Sequence, residues 1–269
     1  MKLAIEHETL YRYDAPVRSS TQYIRLTPRE STTQNVLQWQ IDTPRPATHT
    51  HDGYGNVLHV LTLDKPVREI RIRAHGVVDT TPAPDSKPEP AAKLSPLVFL
   101  RCTTLTRPDE SLTAFAEGFR RKSGVLTGLR ELAAAVISKL PDDKQEYAET
   151  LTAAEAFANS DGSVRNQAHV FIACCRLLGI PARYVSGYVL SHAENRESIH
   201  GHAWVETWIG ERWRSFDLAA ANGRSRSAEI VHLVLAIGAD YHDACPIRGI
   251  RTGGGLETME AVSRLVVGR

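Results

Sequence analysis

His202 and Asp217 are the residues whose types and spacing best suit chemistry, because the chain between them reads as a β-hairpin. Ala203, Val205, Thr207 and Ile209 alternate with His202, Trp204, Glu206 and Trp208; Gly210-Glu211 then offers a two-residue loop, and Arg212 to Asp217 returns. With Ile209 opposite Arg212, Trp208 faces Trp213, Val205 faces Phe216 and Trp204 faces Asp217. His202 becomes a diagonal neighbour of Asp217 on one face, at a spacing of roughly 5.5–8 Å that side chains can bridge. A carboxylate beside an imidazole fixes its tautomer and stabilises the imidazolium, which is the work of base and orienter in a nucleophile–base–orienter triad. The same pair also occurs as a structural hydrogen bond, so a catalytic reading needs a nucleophile.

The elements that must hold this pair differ between the two halves of the chain. Up to about Asp79 the pattern has period two: Leu3, Ile5, Thr9, Tyr11 and Tyr13 alternate with mostly polar neighbours, as do Leu37, Trp39 and Ile41. Val57 to Leu63 and Val67 to Val78 read as further strands, and Asp52-Gly53 with Gly55-Asn56 supply turn chemistry, so residues 1–80 predict an antiparallel β-sandwich or small barrel. Between Thr80 and Pro96 lie five of the 14 prolines, which predicts a semi-rigid linker over 81–97 and a domain boundary. The period then becomes 3.6. Leu112, Phe115, Ala116 and Phe119 form one stripe behind Pro108-Asp109-Glu110, and Leu129, Leu132, Ala133, Val136, Ile137 and Leu140 another that Pro141 ends. Thr152-Ala153-Ala154-Glu155 has capping-box spacing. A longer helix is expected from Ser163 or Val164 to Leu178, closed by Gly179 and Pro181, before strands resume at Ala182. Residues 98–269 thus read as a second domain, helices then antiparallel strands, and the chain as α+β.

The run Gly179-Ile180-Pro181-Ala182-Arg183-Tyr184-Val185-Ser186-Gly187-Tyr188, then His202-Ala203-Trp204-Val205-Glu206, then Phe216-Asp217 and Asn222-Gly223, resembles the bacterial transglutaminase-like superfamily, whose members are often described as cysteine proteases. Residues 1–79 resemble that family's N-terminal β region, Leu100 to Leu112 its inter-domain segment, and Gly238 to Gly249 its C-terminal motif. The resemblance implies a papain-like core with a Cys–His–Asp triad, His202 as base and Asp217 as orienter, with the cysteine at the start of the long helix. There the helix N-terminus favours the thiolate. It also implies association with peptide-modifying systems, since such relatives accompany ATP-grasp and helical partner proteins.

The nucleophile is where the chain departs. The family run Gly-Val-Cys-Gln-Asp, an aromatic or His, then Ala-His, is here Gly162-Ser163-Val164-Arg165-Asn166-Gln167-Ala168-His169, with Val164 in the cysteine's position. Cys175 is eleven residues on, hence about 16 Å along the helix, and Cys174 is as distant. Both read as small core residues, and Cys102 and Cys245 fall outside the motif. Ser163 is the adjacent hydroxyl, pointing about 100° away around the helix. The expectation is therefore a protein without cysteine catalysis that binds a peptide or isopeptide-like segment in the old cleft, with Ser163, Asn166, Trp204 and Tyr188 as candidate walls. The alternative is an active amide hydrolase or acyl-transferase using Ser163 or an unrecognised nucleophile.

Composition narrows the rest. The 269 residues, 42% hydrophobic and 23% charged, are those of an ordinary globular chain, and 32 Lys plus Arg against 31 Asp plus Glu leave no global charge for nucleic acid or an anionic membrane. The start, Met1 to Glu8, lacks the apolar stretch of a secretory signal, and no run reaches the roughly 18 apolar residues of a membrane helix, so a cytoplasmic protein with reduced thiols is expected. His200-Gly201-His202 and His242-Asp243 match no zinc spacing, and the family needs none; no metal or other cofactor is expected. His169 reads as a packing histidine, and Gly253-Gly254-Gly255 as a turn.

Overall fold

A computed structural model describes residues 1–81, 94–120, 124–141, 150–193, 196–219 and 231–266. The strands expected in the first 80 residues form as β1 (Lys2–Ile24), β2 (Gln34–Asp42), β4 (Val57–Leu63) and β5 (Val67–Thr80), and a further one, β3 (Thr48–His51), forms between β2 and β4. Of these, only the polar and exposed β3 carries no apolar alternation to announce it. At the turn before β4, the Asp52 carboxylate accepts from the backbone N–H of Tyr54 and Asn56, both at 3.0 Å, and Gly55 takes a φ of 75°. Most of the expected linker, and Asn222-Gly223, lie outside the described residues.

The sheet runs in the order β2-β5-β1-β4-β3, and β1 organises it. Its first half pairs with β5 and its second half with β4, the register shifting between Arg12 and Val17 around Pro16, which has no N–H to give. The remaining edges of β1 are taken by two late strands, β10 (Ile247–Gly253) and β11 (Glu257–Leu265). Residues 98–269 were expected to form one domain. Hydrogen bonding instead returns the last two strands to the first sheet, because a 23-residue strand offers more edge than β4 and β5 can cover.

The helices fall where the periodicity puts them: α1 (Glu110–Glu117), α2 (Val125–Lys139), α3 (Ala153–Asn159) and α4 (Val164–Leu177). Asp109 caps α1 by accepting from Leu112 N at 2.7 Å, Thr152 and Glu155 complete the capping box of α3, and Gly179 past α4 takes a φ of 78°. They pack on a second antiparallel sheet, ordered β8-β7-β6-β9, of β6 (Ala182–Ala193), β7 (Arg196–Trp208), β8 (Trp213–Phe216) and β9 (Val231–Gly238), followed by the short α5 (Tyr241–Ala244). In α4, Phe171 meets Phe216 at 5.2 Å between ring centroids and His169 meets Tyr184 at 5.5 Å, so α4 covers the face that presents Tyr184 and Phe216. The fold is α+β, and no described helix is long and apolar enough to cross a membrane.

Two side-chain amides join the sheets. Asn56, fully buried, donates to Ile237 O at 2.7 Å and accepts from Ile237 N at 2.9 Å; Gln34 does the same for Val234 at 2.9 and 2.8 Å. Each stands in for a neighbouring strand residue along the outer edge of β9. Asn56→Ala would leave the N–H and C=O of Ile237 without partners, a loss of about 2–4 kcal/mol in chemical denaturation; a loss under about 1 kcal/mol would refute the clamp.

His7 lies where β1 meets β11, its ring nitrogens 2.9 Å from Ser263 Oγ and 2.8 Å from Thr9 Oγ1, and burial lowers its pKa to about 4. The folded protein resists protonating a group that the unfolded chain protonates near 6.5. Stability is therefore full above about pH 6.5 and should fall by roughly 3 kcal/mol on acidification to pH 4. His169, whose pKa burial also lowers to about 4, adds a second such slope. His7→Gln, which keeps hydrogen-bonding capacity without the titration, should flatten the acid limb of a stability–pH curve; an unchanged limb would dismiss His7 as its source.

Candidate functional site

The hairpin of β7 and β8 forms in the expected register, with Trp208 opposite Trp213 and Val205 opposite Phe216. Ile209 N donates to Arg212 O at 2.9 Å, and Gly210 and Glu211 take φ values of 58° and 60°, the positive angles that such a two-residue loop requires. His202 accordingly meets Asp217, Nε2 to Oδ2 at 2.8 Å. With Nε2 engaged, Nδ1 is the ring atom left to exchange a proton with a third group. Glu206, on the same motif, accepts from Arg183 Nε at 2.7 Å while that guanidinium lies 4.0 Å over the Trp213 ring, so its role is structural.

A third residue completes the group. His232, near the start of β9, brings its Nε2 to the same Asp217 Oδ2 at 2.8 Å, and the two imidazoles lie 6.0 Å apart with planes 28° from parallel. His202 and His232 sit two strands apart, and Gly187 on the strand between them opens the space. A Cβ there would fall 2.0 Å from Leu233 O and 2.8 Å from the Trp204 ring. Trp204 lies across this gap, 4.6 Å from the His232 ring and 6.1 Å from that of His202, and forms the floor of the site. The register of β6 against β9 shifts at the same point, between Ser186 and Gly187. His202, Asp217 and His232 keep 13%, 9% and 22% of their side-chain surface, enough for access from one side. One carboxylate flanked by two imidazoles can orient a base or offer donor atoms to a cation.

The other predicted residues are placed elsewhere. Val164 is the half-buried first residue of α4, beneath the cap in which Ser163 Oγ accepts from Asn166 N at 3.3 Å. Asn166 Nδ2 donates to Asp161 Oδ1 at 3.0 Å. Gly162 lets this turn close on α2, since a Cβ would fall 2.0 Å from Pro141 O. Ser163, Asn166, Trp204 and Tyr188 were expected as cleft walls, yet all four are buried. Trp204 fills the space above Gly187, Tyr188 packs 5.7 Å from the His7 ring in the core between the sheets, Ser163 caps α4, and the Asn166 side chain turns inward to donate to Asp161. Cys174 and Cys175 are buried in the last turn of α4; burial pushes the Cys174 thiol up to about 12 and that of Cys175 well above its ordinary value. Cys245 donates to Ile247 O at 3.1 Å, and Cys102 is exposed. His200, bonded to Ser198 Oγ, and His242 in α5 do not join His202, whereas His169 packs in the core as expected. His232 escaped the sequence reading; its one signal is a lone polar residue in the apolar run Val231 to Gly238.

The hairpin-borne His–Asp pair behind a capped helix and the long β region before it define a class. Residues 3–79 match the bacterial transglutaminase-like N-terminal region and residues 113–218 the transglutaminase-like superfamily. Among similar proteins, an uncharacterised protein of Mycobacterium leprae is 27% identical over 285 residues, covering 97% of this chain and 97% of its own. One from Mycobacterium tuberculosis is 28% identical over 270 residues, covering 91% and 86%. A crystal structure from Cytophaga hutchinsonii, provisionally assigned as a cysteine protease, superposes with a TM-score of 0.76 at 19% identity over 100% of this chain and 92% of that one, which establishes the shared fold.

Proposed function

We propose that this protein is a transglutaminase-like pseudoenzyme, which keeps the base and orienter of a Cys–His–Asp site without its nucleophile and binds a peptide or protein segment there. The observation that carries it is the intact 2.8 Å His202–Asp217 bond in a chain whose α4 starts with the hydrocarbon Val164. A valine has no lone pair to attack a carbonyl, and the thiols of Cys174 and Cys175 are buried and held protonated. The surface open to a ligand is the rim made by His202 and His232, and peptide-modifying proteins are the partners to try first. The competing reading, an amide hydrolase or acyl-transferase using Ser163, meets an Oγ already occupied as the α4 cap. Purified protein assayed for amide hydrolysis and for acyl transfer to hydroxylamine should give no turnover above background. Turnover that His202→Ala abolishes would overturn this proposal.

A further inference from the structure

We infer that His202, Asp217 and His232 form a binding site for one divalent first-row transition cation of the zinc or iron(II) kind. The donor set is the first reason. Two imidazole nitrogens and one carboxylate oxygen lie within 4.8 Å of one another, a combination suited to zinc in three-ligand sites and to iron(II) with open positions. Calcium and magnesium, which want several oxygens, fit poorly.

Geometry is the second. At metal–ligand distances of about 2.0–2.2 Å, neighbouring donors of a tetrahedral centre stand about 3.3–3.5 Å apart. The two 2.8 Å contacts to Asp217 Oδ2 need to widen by about half an ångström while the two imidazole nitrogens, within 4.8 Å of each other, draw together by up to about 1.4 Å, adjustments within the rotation of these side chains about their bonds. The cation replaces the two N–H···O bonds, and each imidazole then carries its proton on Nδ1, the tautomer metal-bound histidines adopt when Nε2 ligates.

Rigidity is the third. His202 and His232 stand on strands of one sheet, and the buried Trp204 ring packs against both, so the site is assembled before any ion arrives. The partial exposure of His202 and His232 leaves a side for entry and for a water or ligand atom as fourth donor. This inference does not depend on what position 164 once held. It does make two uses of one pair exclusive, because Nε2 of His202 cannot bind a cation and donate to Asp217 together.

Untagged, chelator-stripped full-length protein titrated with Co²⁺ and with Zn²⁺ tests it. The expected result is one equivalent per chain, with visible cobalt bands of four- or five-coordinate intensity, and binding weakened at least about 100-fold in His232→Ala and Asp217→Ala. His49→Ala should change nothing, although His49 groups with His51 and His59, its ring centroid 5.7 and 5.1 Å from theirs. In the unmodified protein, where no variant can misfold, Zn²⁺ should shift the imidazole nitrogen resonances of His202 and His232. Absence of binding, loss of binding in His49→Ala in place of His232→Ala, or unshifted His202 and His232 resonances would each overturn the site.

Discussion

Val164→Cys, made with Cys102→Ser so that the exposed thiol gives no background, should label with iodoacetamide at neutral pH about 10- to 100-fold faster than an ordinary thiol. Position 164 follows the Ser163 cap and is the first residue of a 14-residue helix, where unpaired N–H groups and the positive end of the dipole favour a thiolate. His202 supplies the second effect, since its Nδ1 remains available while Asp217 holds Nε2. Adding His202→Ala should return labelling to the ordinary rate. Fast labelling that persists without His202 would leave the helix terminus as the sole cause. Slow labelling in both variants would mean that Val164 does not stand where a nucleophile would.

Arg176→Met should cost about 3–5 kcal/mol in stability, the largest single-residue loss we expect. The buried guanidinium in the last turn of α4 donates to Phe99 O at 2.8 Å, Thr106 Oγ1 at 2.6 Å, Ala182 O at 3.0 Å and Ala239 O at 2.7 Å. Four separate stretches of chain are thereby held to one side chain, and methionine would leave three buried carbonyls without donors. Burial lowers the Arg176 pKa to about 10, so it stays charged at neutral pH. Arg176→Lys keeps the charge, but one ammonium cannot span the four acceptors and should recover less than half of the loss. Urea denaturation reads both, and a Met variant within about 1 kcal/mol of the parent would show that those carbonyls find other partners.

What the sequence made legible was local. The hairpin needs only strict alternation and a two-residue loop to bring His202 to Asp217, and both are written in consecutive residues. The caps at Asp109, Thr152 and Ser163 are equally local. His232 was illegible because its approach depends on strand order, on the register shift at Gly187 and on the size of Trp204, none of which is encoded near residue 232. The role of Arg176 has no sequence signal, since three of its four acceptors are carbonyls that any sequence possesses. The burial of Tyr188 was missed for a related reason: alternation assigns a face and does not say what covers it.

The placement of β10 and β11 governs how the molecule can come into being. A ribosome releases β1 first and its last partners some 220 to 260 residues later, so one flank of that strand waits for nearly the whole chain to be made. Contacts of such sequence separation slow folding and leave an unpaired edge open to other chains. A chain stopped after Cys245 would carry the whole of the second sheet yet expose that flank, and self-association should be its first defect.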